Sequence, residues 1–390
     1  MRAEKIRSFS ASMIPVNEPL LGREELNKVA SCVKGNWVSS QGSYLREFEE
    51  KFAAYCGVRY GISTTNGTTA LHLALVALGI GPGDEVLMPT FTMAATAFAV
   101  SYCGAKPVFI DSEPETYNID INRVIRYLAR QEKKGKIKVK AILPVHIYGH
   151  SVDMAPLLDT AKGYDIPVIE DAAEAHGAEY RGKRCGSLGD LACFSFYANK
   201  IITTGEGGMV VTNDPQLADK ARRLKDLAHA VDHRFLHTDI GFNYRMTNMQ
   251  AALGVAQLNK IDRHIEKKRW MAQEYAKGLR ELPGLRLPLE QSWAKCVFWM
   301  YAILVEDEFG LSRDEFRRRL KEQGIDTRAF FVPMHLQPVY QGKPKLARCS
   351  GPFPVAEKIS EQGLYLPSGL KITREQIRQV CGAIKELKGC

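Results

Sequence analysis

Lys200 closes the run Phe194-Ser195-Phe196-Tyr197-Ala198-Asn199-Lys200 and is followed by Thr203-Thr204-Gly205-Glu206-Gly207-Gly208. Upstream, Glu170-Asp171 closes the apolar run Ile166-Pro167-Val168-Ile169. An amine among aromatic and small residues, about thirty residues after an acid at a strand end, matches the needs of pyridoxal 5′-phosphate chemistry. The aldehyde needs an amine for a Schiff base, and the ring nitrogen needs an anion to stay protonated as an electron sink. Two unit charges about 4 Å apart at an effective dielectric near 20 interact by roughly 4 kcal/mol, so an Asp171 partner would bias the ring strongly toward its protonated form. The bland alternatives are a surface lysine and an aspartate that caps a turn. Against the first, Cys193, Phe194 and Phe196 alternate as in a buried strand. A lysine ending such a strand has its basicity lowered by burial. On this reading Ser195 helps bind the cofactor phosphate and Asn199 orients the lysine.

A second candidate is Asn66-Gly67-Thr68-Thr69-Ala70, which opens an apolar-periodic helix. Free amides at a helix start, with a glycine and hydroxyls, make an anion site, so Gly67 and Thr68 become phosphate candidates. Simple N-capping by Thr68 competes with that role.

The elements that must carry these residues alternate in texture. Short β-branched runs (85–88, 107–111, 141–146, 167–171) are separated by helical stretches (69–78, 94–102, 154–163). This predicts an α/β domain with a mainly parallel sheet covered by helices on both faces. Ligands in such folds bind beyond the carboxyl ends of the strands, where Asp171 and the loop after Phe91 belong. A long helix beginning near Arg263, a strand over 299–305, a helix over 313–323 and a final helix capped by Thr373 with Gln376 read as a smaller α+β domain. The expected division is 1–260 and 261–390, as a 390-residue chain exceeds one ordinary core.

The chain carries +9 net charge, 45% hydrophobic and 25% charged residues. Its basic residues are dispersed and form no nucleic-acid motif; the dense stretch from Lys133 to Lys140 reads as a solvated loop leading into a strand. A basic surface would steer anionic substrates such as nucleotides. Nine cysteines, an odd number without CxxC or metal-ligand spacing, fit free thiols in a reducing compartment and no metal. The charged start Met1-Arg2-Ala3-Glu4-Lys5 has no apolar signal core after it, and no run approaches membrane-spanning length, so a cytoplasmic location is expected. No G-x-G-x-x-G follows a strand, which argues against a nicotinamide oxidoreductase.

Three motifs carry a family likeness: residues 169–177 (Ile-Glu-Asp-Ala-Ala-Glu-Ala-His-Gly), Asn199-Lys200 with residues 204–208, and Gly241-Phe242-Asn243-Tyr244-Arg245-Met246-Thr247. Together, in this order, they resemble the DegT/DnrJ/EryC1/StrS sugar aminotransferases from about Ile14 to the C-terminus. The resemblance implies the aspartate-aminotransferase-like fold (fold type I of the pyridoxal phosphate-dependent transferases). It also implies a homodimer in which Asn243 reaches the cofactor phosphate of the neighbouring subunit. Within the family the chain is most similar to the branch that aminates C4 of GDP-4-keto-6-deoxymannose, giving GDP-perosamine for surface glycans such as O-antigen, with L-glutamate as the usual donor. The stretches 145–150 and 327–335 share that likeness. UDP- or dTDP-linked keto-sugars aminated at C3 or C4 are the alternatives. The resemblance also implies that Glu174 lies over the cofactor ring or at its O3′. Met93 stands where many members have an aromatic residue over the ring, and a thioether can still pack there. Tyr148, Arg245 and His335 become candidate substrate contacts, each with a plain structural role as the alternative. The family's sugar 3-dehydratases carry histidine in place of the lysine, so Lys200 speaks against them. A non-catalytic regulator would be expected to lose part of the set Asp171, Ser195, Lys200.

Overall fold

The computed structural model describes residues 13–135 and 137–389. The charged start Met1–Lys5, Lys136 of the basic stretch and Cys390 lie outside the described residues. Seven strands build one large sheet: β1 (Tyr60–Thr64), β2 (Glu85–Pro89), β3 (Lys106–Ile110), β4 (Val139–Ile142), β5 (Ile169–Asp171), β6 (Leu191–Ser195) and β7 (Gly208–Thr212). Two hydrogen-bonded groups, β3-β2-β4 and β5-β6-β7-β1, meet through parallel bridges Ile142–Val168 and Val145–Asp171. The order is therefore 3-2-4-5-6-7-1. Only β7 runs antiparallel to its neighbours.

Strands β2, β6 and β7 are buried along their whole length, which explains why they read as continuous apolar runs rather than alternating ones. The helix Gly67–Ala77 packs on the sheet with almost every residue from Ala70 to Ala77 buried. The described lysines of the basic stretch, Lys133, Lys134, Lys138 and Lys140, are exposed on the approach to and along β4.

After the helix Ile261–Leu279 a second sheet forms from β8 (Leu285–Arg286), β9 (Tyr301–Val305), β10 (Arg328–Ala329) and β11 (Gly363–Leu366), in the order β8-β9-β11-β10 and antiparallel throughout. It shares a core with the helices 261–279, 313–322 and 374–388 through Tyr275, Phe316, Val380 and Ile384. Thr373 and Gln376 close the expected capping box on the last helix. The C-terminal half also reaches back: Arg348–Cys349 pairs with β3, and Val297, Trp299 and Phe330 belong to the large core. The eight cysteines among the described residues are free thiols, and none of the described helices is long and apolar enough to cross a membrane.

Candidate active site

Asp171 is the last residue of β5 and is 4% exposed. Its Oδ2 accepts the Thr96 hydroxyl at 2.8 Å and its Oδ1 the Ala173 amide at 3.2 Å. Burial holds the carboxyl above its ordinary range, opposed by those two donors and by the Lys200 charge. The preceding residue points to the opposite face. There Glu170 takes the amides of Gly186, Leu188 and Gly189 and His146 Nε2, all at 2.8–2.9 Å. His146 Nδ1 accepts the Val152 amide at 3.0 Å, which puts a ring proton on Nε2 toward Glu170; burial lowers the basicity of the ring, but Cys185 and Glu170 outweigh it and raise it. Cys185 lies within 4.8 Å of this pair. The group is a hydrogen-bonded brace that sets the end of β5.

Strand β6 stops at Ser195. Lys200 is therefore not the strand's last residue, as expected, but rides the turn beyond it, its amide donating to Tyr197 O at 2.9 Å. Its Nζ lies 3.9 Å from Glu174 Oε1 and 3.9 Å from the centre of the Trp299 ring. Burial lowers the basicity of the amine, while Glu174 and Asp171 raise it. Glu174 in turn is pushed up to about 7 by burial, against Lys200 and the Tyr148 amide that donates to its Oε2 at 2.7 Å. His176, packed among Phe52, Phe194 and Phe196, is driven down to about 3 by burial and the Lys200 charge, so it is a neutral wall.

Asn66, not Thr68, caps the helix Gly67–Ala77: its side chain accepts the Thr69 amide at 2.9 Å, and Thr69 Oγ1 accepts the Asn66 amide. The Gly67 and Thr68 amides are first-turn donors with no helical acceptor. A Cβ on Gly67 would stand 2.8 Å from Ser195 Cβ, so glycine is what lets the β6 end and the helix start meet. Met93 precedes the helix Ala94–Tyr102 and is half exposed. Tyr148 takes a positive φ of 52°, and its hydroxyl is buried without a partner, the kind of group a bound ligand satisfies.

Other expected residues are arranged differently. The Asn199 carboxamide oxygen is buried without a partner among the described residues. The backbone carbonyl of Asn199 accepts Asn17 Nδ2 at 2.6 Å and Trp299 Nε1 at 2.8 Å. Arg245 is paired with Asp226. His335 has both ring nitrogens engaged, by Thr90 Oγ1 at 2.7 Å and Glu357 at 3.2 Å, and stacks on Phe353. Asn243 is exposed and bridges to Asp226 through its backbone. These pairings tie the three residues to neighbours outside the Lys200 cluster. Thr96 and Trp299 are the contacts that sequence reasoning missed.

The arrangement could hold a flat heteroaromatic ring with a protonated nitrogen at Asp171, its phosphate at Gly67, Thr68 and Ser195, and a carbonyl beside the Lys200 amine. A model of the DegT/DnrJ/EryC1/StrS aminotransferase family matches residues 19–385. The chain belongs to that family. It is 44% identical to GDP-perosamine synthase of Caulobacter vibrioides, covering 96% of this chain and 98% of that protein. With GDP-perosamine synthase of Escherichia coli O157:H7 it shares 42% identity over the same fractions. The crystal structure of DesV from S. venezuelae superposes with a TM-score of 0.86 at 37% identity, covering 94% of this chain and 95% of that one. The family member described here is thus an aminotransferase of fold type I, as its motifs implied.

Proposed function

We propose that this aminotransferase uses pyridoxal 5′-phosphate to move the amino group of L-glutamate to C4 of GDP-4-keto-6-deoxymannose, giving GDP-perosamine and 2-oxoglutarate. The observation that carries the reading is the buried pair of Asp171, a strand-end carboxyl held by Thr96 and the Ala173 amide, and Lys200, an amine of depressed basicity beside Glu174 and the Trp299 ring. The near-full-length likeness to two GDP-perosamine synthases supports the substrate.

Bound pyridoxal phosphate supplies an electron sink for the charge left when a carbon beside nitrogen loses its proton. The chain supplies the rest. Asp171 holds the ring nitrogen protonated, with Thr96 and Ala173 fixing the carboxylate. Gly67, Thr68 and Ser195 would hold the phosphate, and Met93 and Glu174 would line the space for the ring. Lys200 would be the base that takes the proton from the α-carbon of glutamate and the acid that gives it back on the cofactor side. In the second half it runs this transfer backwards, delivering the proton to the sugar carbon from one face. Tyr148, Arg245 and His335 would meet the sugar nucleotide; since Arg245 and His335 already have partners, either would have to exchange them on binding.

A homodimer belongs to the proposal, with the exposed Asn243 available to a second copy. The segment just before it leaves Val231, Phe235 and Ile240 strongly exposed, more apolar surface than one loop of a monomer normally shows. The test is product analysis after incubation with L-glutamate. A GDP-sugar carrying nitrogen at C4, located by NMR, supports the proposal. Turnover of dTDP- or UDP-keto-sugars alone would replace the substrate. That second reading has its own support in the 39% identity to a dTDP-3-amino-3,4,6-trideoxy-alpha-D-glucose transaminase of Streptomyces venezuelae, over 88% of this chain.

A further inference from the structure

Trp299 enters the large core just before β9 and is only 2% exposed. Three of its groups tie separate parts of the chain together. Its amide donates to Tyr148 O at 3.1 Å, beside the Glu174 carboxylate. Its Nε1–H donates to Asn199 O at 2.8 Å, holding the turn that carries Lys200. Its carbonyl accepts Lys268 Nζ at 2.8 Å. Lys268 is 1% exposed, its second bond goes to the Ser368 carbonyl, and no acid among the described residues pairs with it; burial brings it down to about 7. A buried lysine spent on two carbonyls has no part in the transamination derived above. The geometry gives it a structural one, tying the Trp299 backbone to that of Ser368.

Over the indole itself, Lys200 Nζ lies 3.9 Å from the ring centre. A cation over the face of tryptophan is attracted by the ring quadrupole, most strongly where water is excluded. We propose that Trp299 is the positioning residue of the Lys200 amine: its indole face seats the ammonium form whenever the lysine is free, and its Nε1–H fixes the turn from which the lysine reaches out. The inference rests on the role given to Lys200 above. The charged and titratable groups facing Lys200 are Glu174 at 3.9 Å, Asp171 and the neutral His176. The two acids also favour the ammonium, so the indole's share must be read by changing the indole alone.

Fluorinated tryptophans do this with almost no change of shape, because each fluorine drains the ring face. The cofactor-free protein is grown with 5-fluorotryptophan and with a more heavily fluorinated analogue. The pH midpoint of Lys200 is then read by competitive acetylation and mass spectrometry of its peptide. The expected result is a stepwise fall in that midpoint, approaching one pH unit with the heavily fluorinated ring. Lys267, 3.6 Å from the centre of the Trp270 ring, serves as an internal comparison. Trp299→Phe, which keeps a weaker ring and loses the Nε1–H, should lower the midpoint and speed acetylation of Lys200. An unchanged Lys200 midpoint across the fluorinated series and in Trp299→Phe would overturn the proposal. Failure of the proposed function would show separately, as no change in the absorbance of pyridoxal phosphate on mixing with unsubstituted protein.

Discussion

Replacing Glu174 by glutamine should change how the stability of the cofactor-free protein depends on pH. The carboxyl is 4% exposed and held from the ordinary 4.5 up to about 7. Between those values the folded state keeps a proton that the unfolded chain has released. Stability is therefore present in full below the unfolded value and is lost as pH rises through the folded one. At about 1.4 kcal/mol per pH unit, the folded state forfeits about 3 kcal/mol between pH 4.5 and 7. Glutamine keeps an oxygen for the Tyr148 amide but cannot titrate. Urea unfolding at a series of pH values from 5 to 8 should show wild type losing most of that amount relative to Glu174→Gln. Lys200 acts in the opposite direction: its basicity is lowered on folding, so its contribution rises with pH. Parallel pH profiles for the two proteins would refute the claim that burial holds the Glu174 carboxyl up near 7.

Three further outcomes are expected. Lys200→Ala should fold normally, as judged by thermal unfolding, yet give none of the long-wavelength absorbance that wild type develops with pyridoxal phosphate. Asp171→Asn should still bind the cofactor by equilibrium titration but lose about a thousandfold in kcat, the roughly 4 kcal/mol of a close charge pair at intermediate dielectric. Gly67→Ala, whose new Cβ would stand 2.8 Å from Ser195 Cβ, should weaken cofactor affinity by roughly tenfold or more, within the 1–3 kcal/mol of an overpacked contact.

The parts of the molecule legible in its sequence are those set by local chemistry. Helices at 94–102 and 154–163 have the expected bounds, because short runs of helix-forming, largely apolar residues set them. The acid of Asp171 lies at a strand end, and the amine of Lys200 lies just beyond a fully buried strand. What escaped are contacts between distant segments. Thr96 reads as one more small residue of a helix, yet it meets Asp171 across 75 positions. Trp299 reads as the first apolar residue of a strand, and only the fold turns its face to Lys200. The Asn199 carbonyl accepts the Trp299 indole N–H from 100 positions away, a contact with no signal in the residue type. The left-handed backbone of Tyr148 has no signal in a residue type that rarely adopts it.

The central claim is that Lys200 is the amine that takes up pyridoxal phosphate. The direct measurement is borohydride reduction of the cofactor-loaded protein followed by peptide mass mapping. A phosphopyridoxyl group on Lys200 is the predicted result. The same group on the other buried, weakly basic amine, Lys268, or on no single lysine, would contradict it.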